Sequence, residues 1–301
     1  MTAPLRRYRT GLTDSSWWDG FTFRPDDIVV STPSKCGTTW AQMICALLVH
    51  GSAELPAPLT VLSPWLDMRL RPAREVRDAL DRQTHRRIIK THTPLDGLPA
   101  APGVTYLVVG RDPRDVAVSM SHHRANLDGA VLARLFAAAG PEPDGPRQPR
   151  PADPRLRLLE WIDEDLPDTV RHLADAWARR HEEQVLLLHY ADLSRDLAGR
   201  MRLVAARLGI EVPEARWPGL VRAATFGGMR DRAAQLVPDE RLGLFADSGR
   251  FFRSGTSGQW RQLLTPADEA HYQRRLAALA PADLRHWLHH GSLGEAEPAV
   301  R

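Results

Sequence analysis

The sequence predicts an α/β protein in which a P-loop-like parallel sheet is flanked by helices on both faces. Short apolar runs rich in β-branched residues recur along the 301 residues, and stretches with helical spacing of apolar residues separate them. Polar side chains that suit anion binding stand where these runs end. Ligands of parallel sheets bind beyond the carboxyl ends of the strands, so we expect these side chains to share one edge of the sheet.

The first predicted strand, DDIVVS at 26–31, leads into the loop STPSKCGTTW and a predicted helix at 38–50. The loop looks like a phosphate-binding loop, yet nucleoside triphosphatases place a lysine after the second glycine. Here Lys35 precedes the only glycine of the loop, Gly37. A helix that begins near Thr38 offers free N–H groups and a partial positive charge. We therefore predict that this loop binds an anion.

The second predicted strand, RRIIK at 86–90, runs into the segment KTHTP. Lys90 and His92 are two residues apart, so both side chains can face one cleft where the strand ends. Histidine suits proton abstraction near neutral pH. His92 is therefore a candidate base.

The third predicted strand lies at 104–109 and the fourth at 183–190. Arg111 follows the third strand, and Arg253 lies in the glycine-rich stretch FFRSGTSGQW. Arginine can hold a phosphate through two parallel hydrogen bonds, so both are candidates for binding a second phosphate. Further helices are predicted at 114–125, 168–181, 196–209 and 267–288.

Residues 140–155 contain six prolines, from Pro141 to Pro154. This composition predicts a mobile, irregular loop. Strand-like segments resume after it, so the loop interrupts one domain and does not separate two. We expect a single domain over residues 1–301.

Composition and charge limit the classes of function. The net charge is only +3 and no run of four or more basic residues occurs, so no nucleic-acid partner is expected. Two cysteines cannot supply a disulfide framework. A signal-peptide pattern and the ~20 apolar residues of a membrane span are both absent from the sequence. We expect a cytoplasmic protein that is not an integral membrane protein.

Only two of the 40 basic residues are lysines, Lys35 and Lys90. Such a bias usually reflects genome base composition. Against it, a lysine indicates a position that needs a compact ammonium group and not a planar guanidinium. Both lysines follow strand-like runs, and we predict a function for each.

Four segments, in the same order, resemble the cytosolic-type sulfotransferases, which use 3′-phosphoadenosine-5′-phosphosulfate (PAPS). The family patterns T-Y-P-K-S-G-T-T-W, K-T-H, R-x-P-x-D-x-x-x-S and R-K-G-x-x-G-x-W match residues 32–40, 90–92, 111–119 and 253–260. The stretches SPWLD, HRRIIKTHTPLDGL and VGRDPRDVAVSM most resemble the actinobacterial branch, which includes glycolipid sulfotransferases. The resemblance implies the sulfotransferase fold and transfer of a sulfuryl group from PAPS, with PAP as the product.

The resemblance also implies roles for single residues. Lys35 would stabilise the leaving phosphate, His92 would take the proton of the acceptor, and Lys90 would contact the sulfuryl oxygens. The residues implied to bind PAPS are Lys35, Cys36, Gly37, Thr38, Thr39, Trp40, Arg111, Ser119, Tyr190, Thr225, Phe226, Arg253, Ser254 and Gly255. No metal is implied, and no carboxylate cluster of the sequence suits Mg²⁺.

Several positions depart from the family pattern. Cys36 replaces a serine that restrains the lysine, and Ser254 replaces a lysine that helps to hold the 3′-phosphate. We therefore expect a modestly weaker affinity for PAPS. The family's dimer segment is poorly matched at residues 261–270, which leaves the oligomeric state open.

The acceptor is expected to be hydrophobic: a glycolipid, a phenol or another alcohol. Trp65, Leu66, Met68 and Leu95 predict an apolar pocket, to which the proline-rich region would contribute. A lipid-like acceptor would require access to lipid substrates. Three alternatives remain open: a non-catalytic PAP-binding protein, a divergent P-loop nucleotide kinase, and an enzyme with Cys36 as nucleophile at a helix N-terminus, where its pKa would fall.

Overall fold

The computed structural model describes residues 5–139, 150–237 and 243–292. A central sheet of four parallel strands organises these residues, in the order β2-β1-β3-β4. The strands are β1 Ile28–Ser31, β2 Ile88–Thr91, β3 Thr105–Gly110 and β4 Val185–His189. The predicted fold class and the four predicted strands are confirmed.

Helices cover both faces of this sheet. The α-helices are α1 Thr38–His50, α2 Leu59–Leu62, α3 Ala73–Asp81, α4 Pro113–Ala125, α5 Gly129–Ala139, α6 Pro154–Glu164, α7 Leu166–Ala178, α8 Tyr190–Arg195, α9 Leu197–Arg207, α10 Trp217–Ala224, α11 Phe226–Arg230, α12 Ala233–Leu236, α13 Pro266–Leu279 and α14 Ala282–His290. Short 3₁₀ helices lie at Ser15–Trp18, Leu95–Gly97, Glu214–Arg216, Ser248–Phe251 and Gln259–Gln262. None of the helices in the described ranges has the length and apolar character that a membrane crossing requires.

The sheet separates two apolar cores. Along β1, Val29 points into one core, whereas Ile28 and Val30 point into the other. The first core is completed by α4, α6, α7, α13 and α14, and the second by α1, α9 and α10. Because both faces are covered, the strands carry apolar residues on both sides over most of their length, and polar residues such as Ser31, Lys90 and Thr91 stand at their carboxyl ends.

The predicted proline-rich loop is only partly described. Its residues 140–149 lie outside the described ranges. At its far end the prediction of irregular structure was wrong, because α6 begins at Pro154. The Asp153 side chain accepts hydrogen bonds from the backbone N–H groups of Arg155 and Leu156, and proline suits the first position of a helix.

Candidate active site

The carboxyl ends of the strands open into one cavity of about 280 Å³. Its walls come from the β1–α1 loop, the end of β2, the helix α4 and the loop after residue 250. The predicted residues that line it are Lys35, Gly37, Thr38, Thr39, Trp40, Lys90, His92, Arg111, Ser119, Tyr190, Phe226, Arg253, Ser254 and Gly255. The structure therefore brings together residues that the sequence separates by more than half of the chain.

Two predicted site residues have other surroundings. The Cys36 side chain is fully buried and packs in the same apolar core as Val29. The Thr225 hydroxyl donates a hydrogen bond to the backbone carbonyl of Arg222. It also accepts one from the backbone N–H of Gly228, and this second bond caps α11. Both side chains serve the local fold around the cavity.

Burial raises the pKa of the Cys36 thiol to about 12, although the Arg111 guanidinium opposes this shift. A thiol with this pKa is protonated near neutral pH and is a poor nucleophile. Burial and protonation of this thiol therefore disfavour the alternative in which Cys36 attacks a substrate.

The β1–α1 loop presents a helix N-terminus to the cavity. Gly37 is the N-cap residue of α1 with a φ of 112°, and no side chain of the described residues caps this helix. The first N–H groups of α1 are thus available to a ligand. A Cβ atom at Gly37 would lie 3.3 Å from the Tyr190 ring, so the approach of the loop to this ring requires glycine.

Lys35 is held in an uncommon environment. Its backbone has a φ of 68°, in the left-handed region that few non-glycine residues adopt. Burial, and to a smaller extent the positive charges of Arg111 and Lys90, lower the pKa of its ammonium to about 8. Three cationic side chains therefore converge, and their mutual repulsion is relieved when an anion binds between them.

The Arg111 guanidinium is held in place and retains a hydrogen-bond donor that no described residue uses. One terminal nitrogen, Nη1, donates to the backbone carbonyl of Lys35 at 3.0 Å, and the guanidinium lies 4.1 Å from the centre of the Tyr190 ring. Its Nε atom is buried and finds no hydrogen-bond partner within the described residues. Arg253 lines the same cavity, and its pKa is lowered by burial and then by the charge of Arg111. The buried donor of Arg111, with the Arg253 guanidinium on the same cavity, fits an anionic ligand.

The tautomer of His92 follows from its hydrogen bond. Its Nδ1 atom lies 2.6 Å from the backbone carbonyl oxygen of Thr32, which can only accept, so Nδ1 carries the proton. Its Nε2 atom is then left as an acceptor. Burial lowers the pKa of His92 well below its usual range, and the charge of Lys90 adds to this effect. His92 is therefore a neutral proton acceptor at pH 7.

The Trp65 ring contacts both catalytic candidates at the end of the second predicted strand, Lys90 and His92. The Lys90 ammonium nitrogen lies 4.2 Å from the centre of its ring, and the His92 ring meets it edge-on at 4.7 Å. Both Lys90 and His92 line the cavity. The prediction that these two side chains face one cleft is confirmed.

Three aromatic residues that the resemblance implies in PAPS binding, Trp40, Tyr190 and Phe226, line the same cavity. The Trp40 indole N–H donates to the backbone carbonyl of Ala224 at 2.8 Å, and its ring meets Tyr190 edge-on at 5.1 Å. Phe226 packs against Gly255 so closely that a Cβ atom there would lie 2.5 Å from its ring. These contacts fix the rings before any ligand binds.

The remaining wall of the cavity is apolar. Of the residues predicted to line it, Trp65 and Met68 do so, whereas Leu66 and Leu95 are buried in a core, so that part of the prediction was wrong. The sequence did not indicate several other residues of this wall, which are Leu12, His123, Leu127, Leu132, Leu244, Phe245 and Phe251. Only Phe251 carried a usable signal, because it stands two residues before Arg253.

His123 is the polar member of this missed set. Its ring packs 5.5 Å from Phe245 and 6.4 Å from Phe251, measured between ring centres. Burial lowers its pKa to about 3, with a further contribution from Lys35 and Lys90. It is therefore neutral at any physiological pH and offers one donor and one acceptor.

Over the described ranges, no group of three or more His, Cys, Asp or Glu side chains has an arrangement that could hold a metal ion.

Comparisons with known proteins agree with this geometry. The family model described as the sulfotransferase domain matches residues 25–280. The glycolipid sulfotransferase of Mycobacterium bovis (strain BCG / Pasteur 1173P2) is 40% identical over 312 residues, which cover 95% of this chain and 95% of that protein. Rat sulfotransferase 1A1 is 25% identical over 271 residues, which cover 85% of this chain and 86% of that protein.

Solved structures show the same fold at lower identity. A structure of retinol dehydratase in complex with androsterone and the inactive cofactor PAP superposes with a TM-score of 0.69 at 22% identity, covering 88% of this chain and 85% of that chain. Mouse sulfotransferase SULT7A1 complexed with PAP gives a TM-score of 0.67 at 20% identity, covering 94% of this chain and 97% of that chain.

Proposed function

The chain belongs to the sulfotransferase family and is an enzyme of that class, and we propose that it moves a sulfuryl group from PAPS to a hydroxyl group of a glycolipid or a similar hydrophobic alcohol. One observation carries the proposal. A single cavity joins a cluster of cationic groups at a helix N-terminus to an apolar wall, and neutral His92 lines the same cavity. The family match over residues 25–280 supports one sulfotransferase domain.

The residues around the cavity fit a ligand that carries two phosphates. Lys35 and the free N–H groups of α1, with the hydroxyls of Thr38 and Thr39, would hold the 5′-phosphate. Arg111, Ser119 and Arg253 would hold the 3′-phosphate, and the unpartnered buried Nε of Arg111 supports this assignment. Retinol dehydratase and mouse SULT7A1 were both solved with PAP, which supports the same donor for this chain.

The aromatic residues suit the adenine base of the donor. Trp40 and Phe226 would lie against its faces, and Tyr190 would touch its edge. Their rings are already held by hydrogen bonding and by packing, so little ordering entropy would be lost when the base binds. Ser254 and Gly255, which line the same cavity, would complete the donor site.

The donor would supply a sulfuryl group joined through an S–O bond to a phosphate that can leave. The acceptor hydroxyl would give its proton to Nε2 of His92 while its oxygen forms the new bond to sulfur. As the old S–O bond breaks, its electron pair would remain on the phosphate, where the Lys35 ammonium stabilises the charge. Lys90 would contact the sulfuryl oxygens.

A glycolipid is the proposed acceptor for two reasons. The mycobacterial relative at 40% identity is a glycolipid sulfotransferase, and the acceptor side of the cavity is lined by leucines, Trp65, Met68 and phenylalanines. Such a wall binds an alkyl or aromatic group and rejects a highly charged substrate. A lipid-like acceptor would bring the protein to lipid surfaces without a membrane-spanning helix.

Calorimetric titration with PAP tests the donor site. We expect saturable binding of PAP and much weaker binding of ATP, because ATP lacks the 3′-phosphate. Arg111→Ala should weaken PAP by about 30-fold or more, since it removes a charged, buried hydrogen-bonding partner. Absence of PAP binding combined with tight ATP binding would overturn the proposal and favour the kinase alternative.

Turnover of His92→Ala separates the enzyme from a mere PAP-binding protein. We expect sulfuryl transfer to an acceptor to fall by at least about 100-fold while the Kd of PAP stays within about threefold of the wild type. The measurement is transfer of label from PAPS to an acceptor panel, followed by mass spectrometry. Equal turnover by the wild type and His92→Ala would show that His92 is not the base.

A further inference from the structure

We propose that Asp67 is a positioning residue of the active site, which orients Lys90 and His92 through Trp65, Thr91 and Thr93. This inference rests on the proposed function, because it takes the roles given above to Lys90 and His92 as its starting point. Asp67 lies in the stretch SPWLD, and unlike Trp65 of the same stretch it has no role in the site described above.

The Asp67 carboxylate is fully buried and accepts four side-chain hydrogen bonds. Its Oδ2 atom accepts from the Trp18 indole N–H at 3.0 Å and from the hydroxyls of Thr91 and Thr93, each at 2.6 Å. Its Oδ1 atom accepts from the Trp65 indole N–H at 2.7 Å. All four donors are neutral groups. A buried carboxylate is costly unless it is fully hydrogen-bonded, so its presence here needs a reason beyond packing.

The two threonines fix the orientation of the strand end. Side chains of an extended chain alternate between two sides, so Thr91 and Thr93 point to one side and Lys90 and His92 to the other. The first pair is tied to Asp67, and the second pair lines the cavity. Holding the threonines therefore prevents the segment from rotating about its axis, which would carry both catalytic candidates out of the cavity.

Trp65 provides the second route from Asp67 to the site. The segment around Trp65 runs beside the end of β2, where the backbone N–H of Lys90 donates to the carbonyl of Pro64 at 2.9 Å and that of Leu66 donates to the carbonyl of Lys90 at 3.2 Å. The indole ring lies against both the Lys90 ammonium and the His92 ring. The hydrogen bond from the indole N–H to Asp67 sets the angle of this ring. Asp67 thus does not line the cavity but fixes three groups, Trp65, Thr91 and Thr93, that contact or adjoin Lys90 and His92.

The test compares the effect of Asp67→Asn on kcat with its effect on the Kd of PAP. The amide of asparagine can accept fewer of these hydrogen bonds, and its NH₂ group faces hydroxyl donors that must turn away. We expect kcat at saturating PAPS and acceptor to fall by about 10- to 100-fold. The Kd of PAP should stay within about threefold, since the phosphate-binding residues do not touch Asp67.

A matched control is Ser15→Ala. Ser15 is also fully buried near Trp18, and its hydroxyl accepts a hydrogen bond from the backbone N–H of Tyr8, but it does not contact the β2 end. This variant should lose thermal stability and keep its kcat. If Asp67→Asn behaves like Ser15→Ala, with a lower Tm and an unchanged kcat, Asp67 has only a structural role and the proposal is overturned.

Two further variants decide the question if Asp67→Asn does not fold. Thr93→Val keeps the shape of the side chain but removes one donor to Asp67, and Trp65→Phe keeps an aromatic ring and removes the other route. Each should lower kcat with little change in the Kd of PAP, and the double variant should lose less than the product of the two single effects. Wild-type kcat in both single variants would overturn the proposal. Failure of the proposed function is distinguished from this result, because it would show as absent PAP binding or absent transfer in the wild type.

Discussion

At the scale of single residues, the site is formed by charged side chains that are partly or fully removed from solvent. Lys35, Lys90 and Arg111 converge on one cavity, and burial together with the two neighbouring charges lowers the pKa of Lys35 to about 8. His92 is kept neutral by the same burial that concentrates this positive charge. This one arrangement of side chains would attract a dianionic phosphate and would also keep His92 available as a proton acceptor.

The affinity for PAP should decrease at alkaline pH because of Lys35. Its pKa is lowered from 10.5 to about 8 in the free protein, so the ammonium loses its proton as the pH rises through about 8. We expect the Kd of PAP to be constant between pH 6.5 and 7.5 and to rise towards tenfold per pH unit above about pH 8. Calorimetry across this range provides the measurement.

The control for this prediction is Lys35→Arg. Arginine remains protonated throughout the range, so the variant should bind PAP more weakly than the wild type at pH 7 but without the alkaline loss. A wild-type Kd that stays constant to pH 9.5 would contradict the assignment of Lys35 to the 5′-phosphate.

His123 should recognise the sugar part of a glycolipid acceptor. It stands on the apolar wall with its ring against Phe245 and Phe251, and it is neutral. We expect His123→Phe to raise the KM for a glycolipid about tenfold through loss of a hydrogen bond, and to leave the KM for PAPS and activity on a simple phenol unchanged. His123→Gln, which keeps a donor and an acceptor, should retain most of the glycolipid activity; equal losses on both acceptors would refute this role.

The sequence could indicate some of these residues but not others. Lys90 and His92 were found because their spacing places both on one side of a strand, and Lys35 because its loop precedes an apolar helix. Asp67, His123 and Phe245 reach the site only through tertiary packing; Phe245, for example, is held by an antiparallel bridge to Leu127. No local pattern marks such residues, since their neighbours in the chain point elsewhere.

At the scale of elements, the glycine-rich loop after Phe252 is shaped for close approach. Gly255 has a φ of 64° and Gly258 a φ of 85°, so both need a residue that tolerates the left-handed region. The backbone N–H of Gly258 donates to Asp115 at 2.7 Å, which joins this loop to α4. The loop thereby brings Arg253 to the same cavity as Arg111.

Gly255→Ala should weaken PAP much more than Gly258→Ala. The backbone strain is similar in the two variants, about 1 kcal/mol, but the added methyl meets different neighbours. At Gly255 it would lie 2.5 Å from the Phe226 ring, whereas at Gly258 it would meet the mobile end of the Arg261 side chain. We expect a rise in the Kd of PAP of about tenfold or more for the first variant and less than threefold for the second. Equal effects would show that strain alone, and not the position of Phe226, governs binding.

Several long helices were predictable from their apolar residues, whereas α5, α6 and the shortest helices were not. The helix α1 occupies the predicted residues 38–50, because a long apolar run lies between Gly37 and Gly51. The stretch 267–288 was predicted only as helical and divides into α13 and α14 at Pro281. Helices α8, α11 and α12 are shorter than two turns, so they contain too few residues for a period to be recognised.

At the scale of the whole molecule, the parallel sheet explains why distant segments share one site. Each strand delivers its carboxyl end to the same edge, and the segments that follow β1, β2, β3 and β4 carry Lys35, His92, Arg111 and Tyr190. This convergence follows from topology and could be predicted from the alternation of strands and helices. The apolar wall comes from loops and from α5, whose positions no alternation rule determines.

The free energy of unfolding should decrease as the pH falls below about 6.5. Burial lowers the pKa of His172 to about 3 and that of His289 to about 4, so the unfolded chain binds protons that the folded chain does not. Each such histidine lowers the free energy of unfolding by up to ~1.4 kcal/mol per pH unit in this range. Thermal melting from pH 7.5 to 5 would measure the decrease.

His172→Gln isolates one contribution to this pH dependence. The glutamine variant should show a smaller change of Tm between pH 7 and 5 than the wild type, since it cannot bind the proton in the unfolded state. Burial raises the pKa of Asp67 and Asp115, which acts in the opposite direction. A wild-type Tm that is constant or higher at pH 5 would show that these carboxyl groups outweigh the histidines.

The scarcity of lysine gives this molecule an unusual chemical surface. Apart from the amino terminus, its primary amines are the two in the cavity, because every other basic side chain is an arginine. Acylating reagents and lysine acetylation therefore have no harmless lysine targets on the outside of the protein. Lys35, with a pKa of about 8, is unprotonated far more often than an ordinary lysine and is therefore a reactive target for acylation. Amine-directed biotinylation or surface coupling is routine for other enzymes. Here it would modify the lysines of the cavity and inactivate the enzyme.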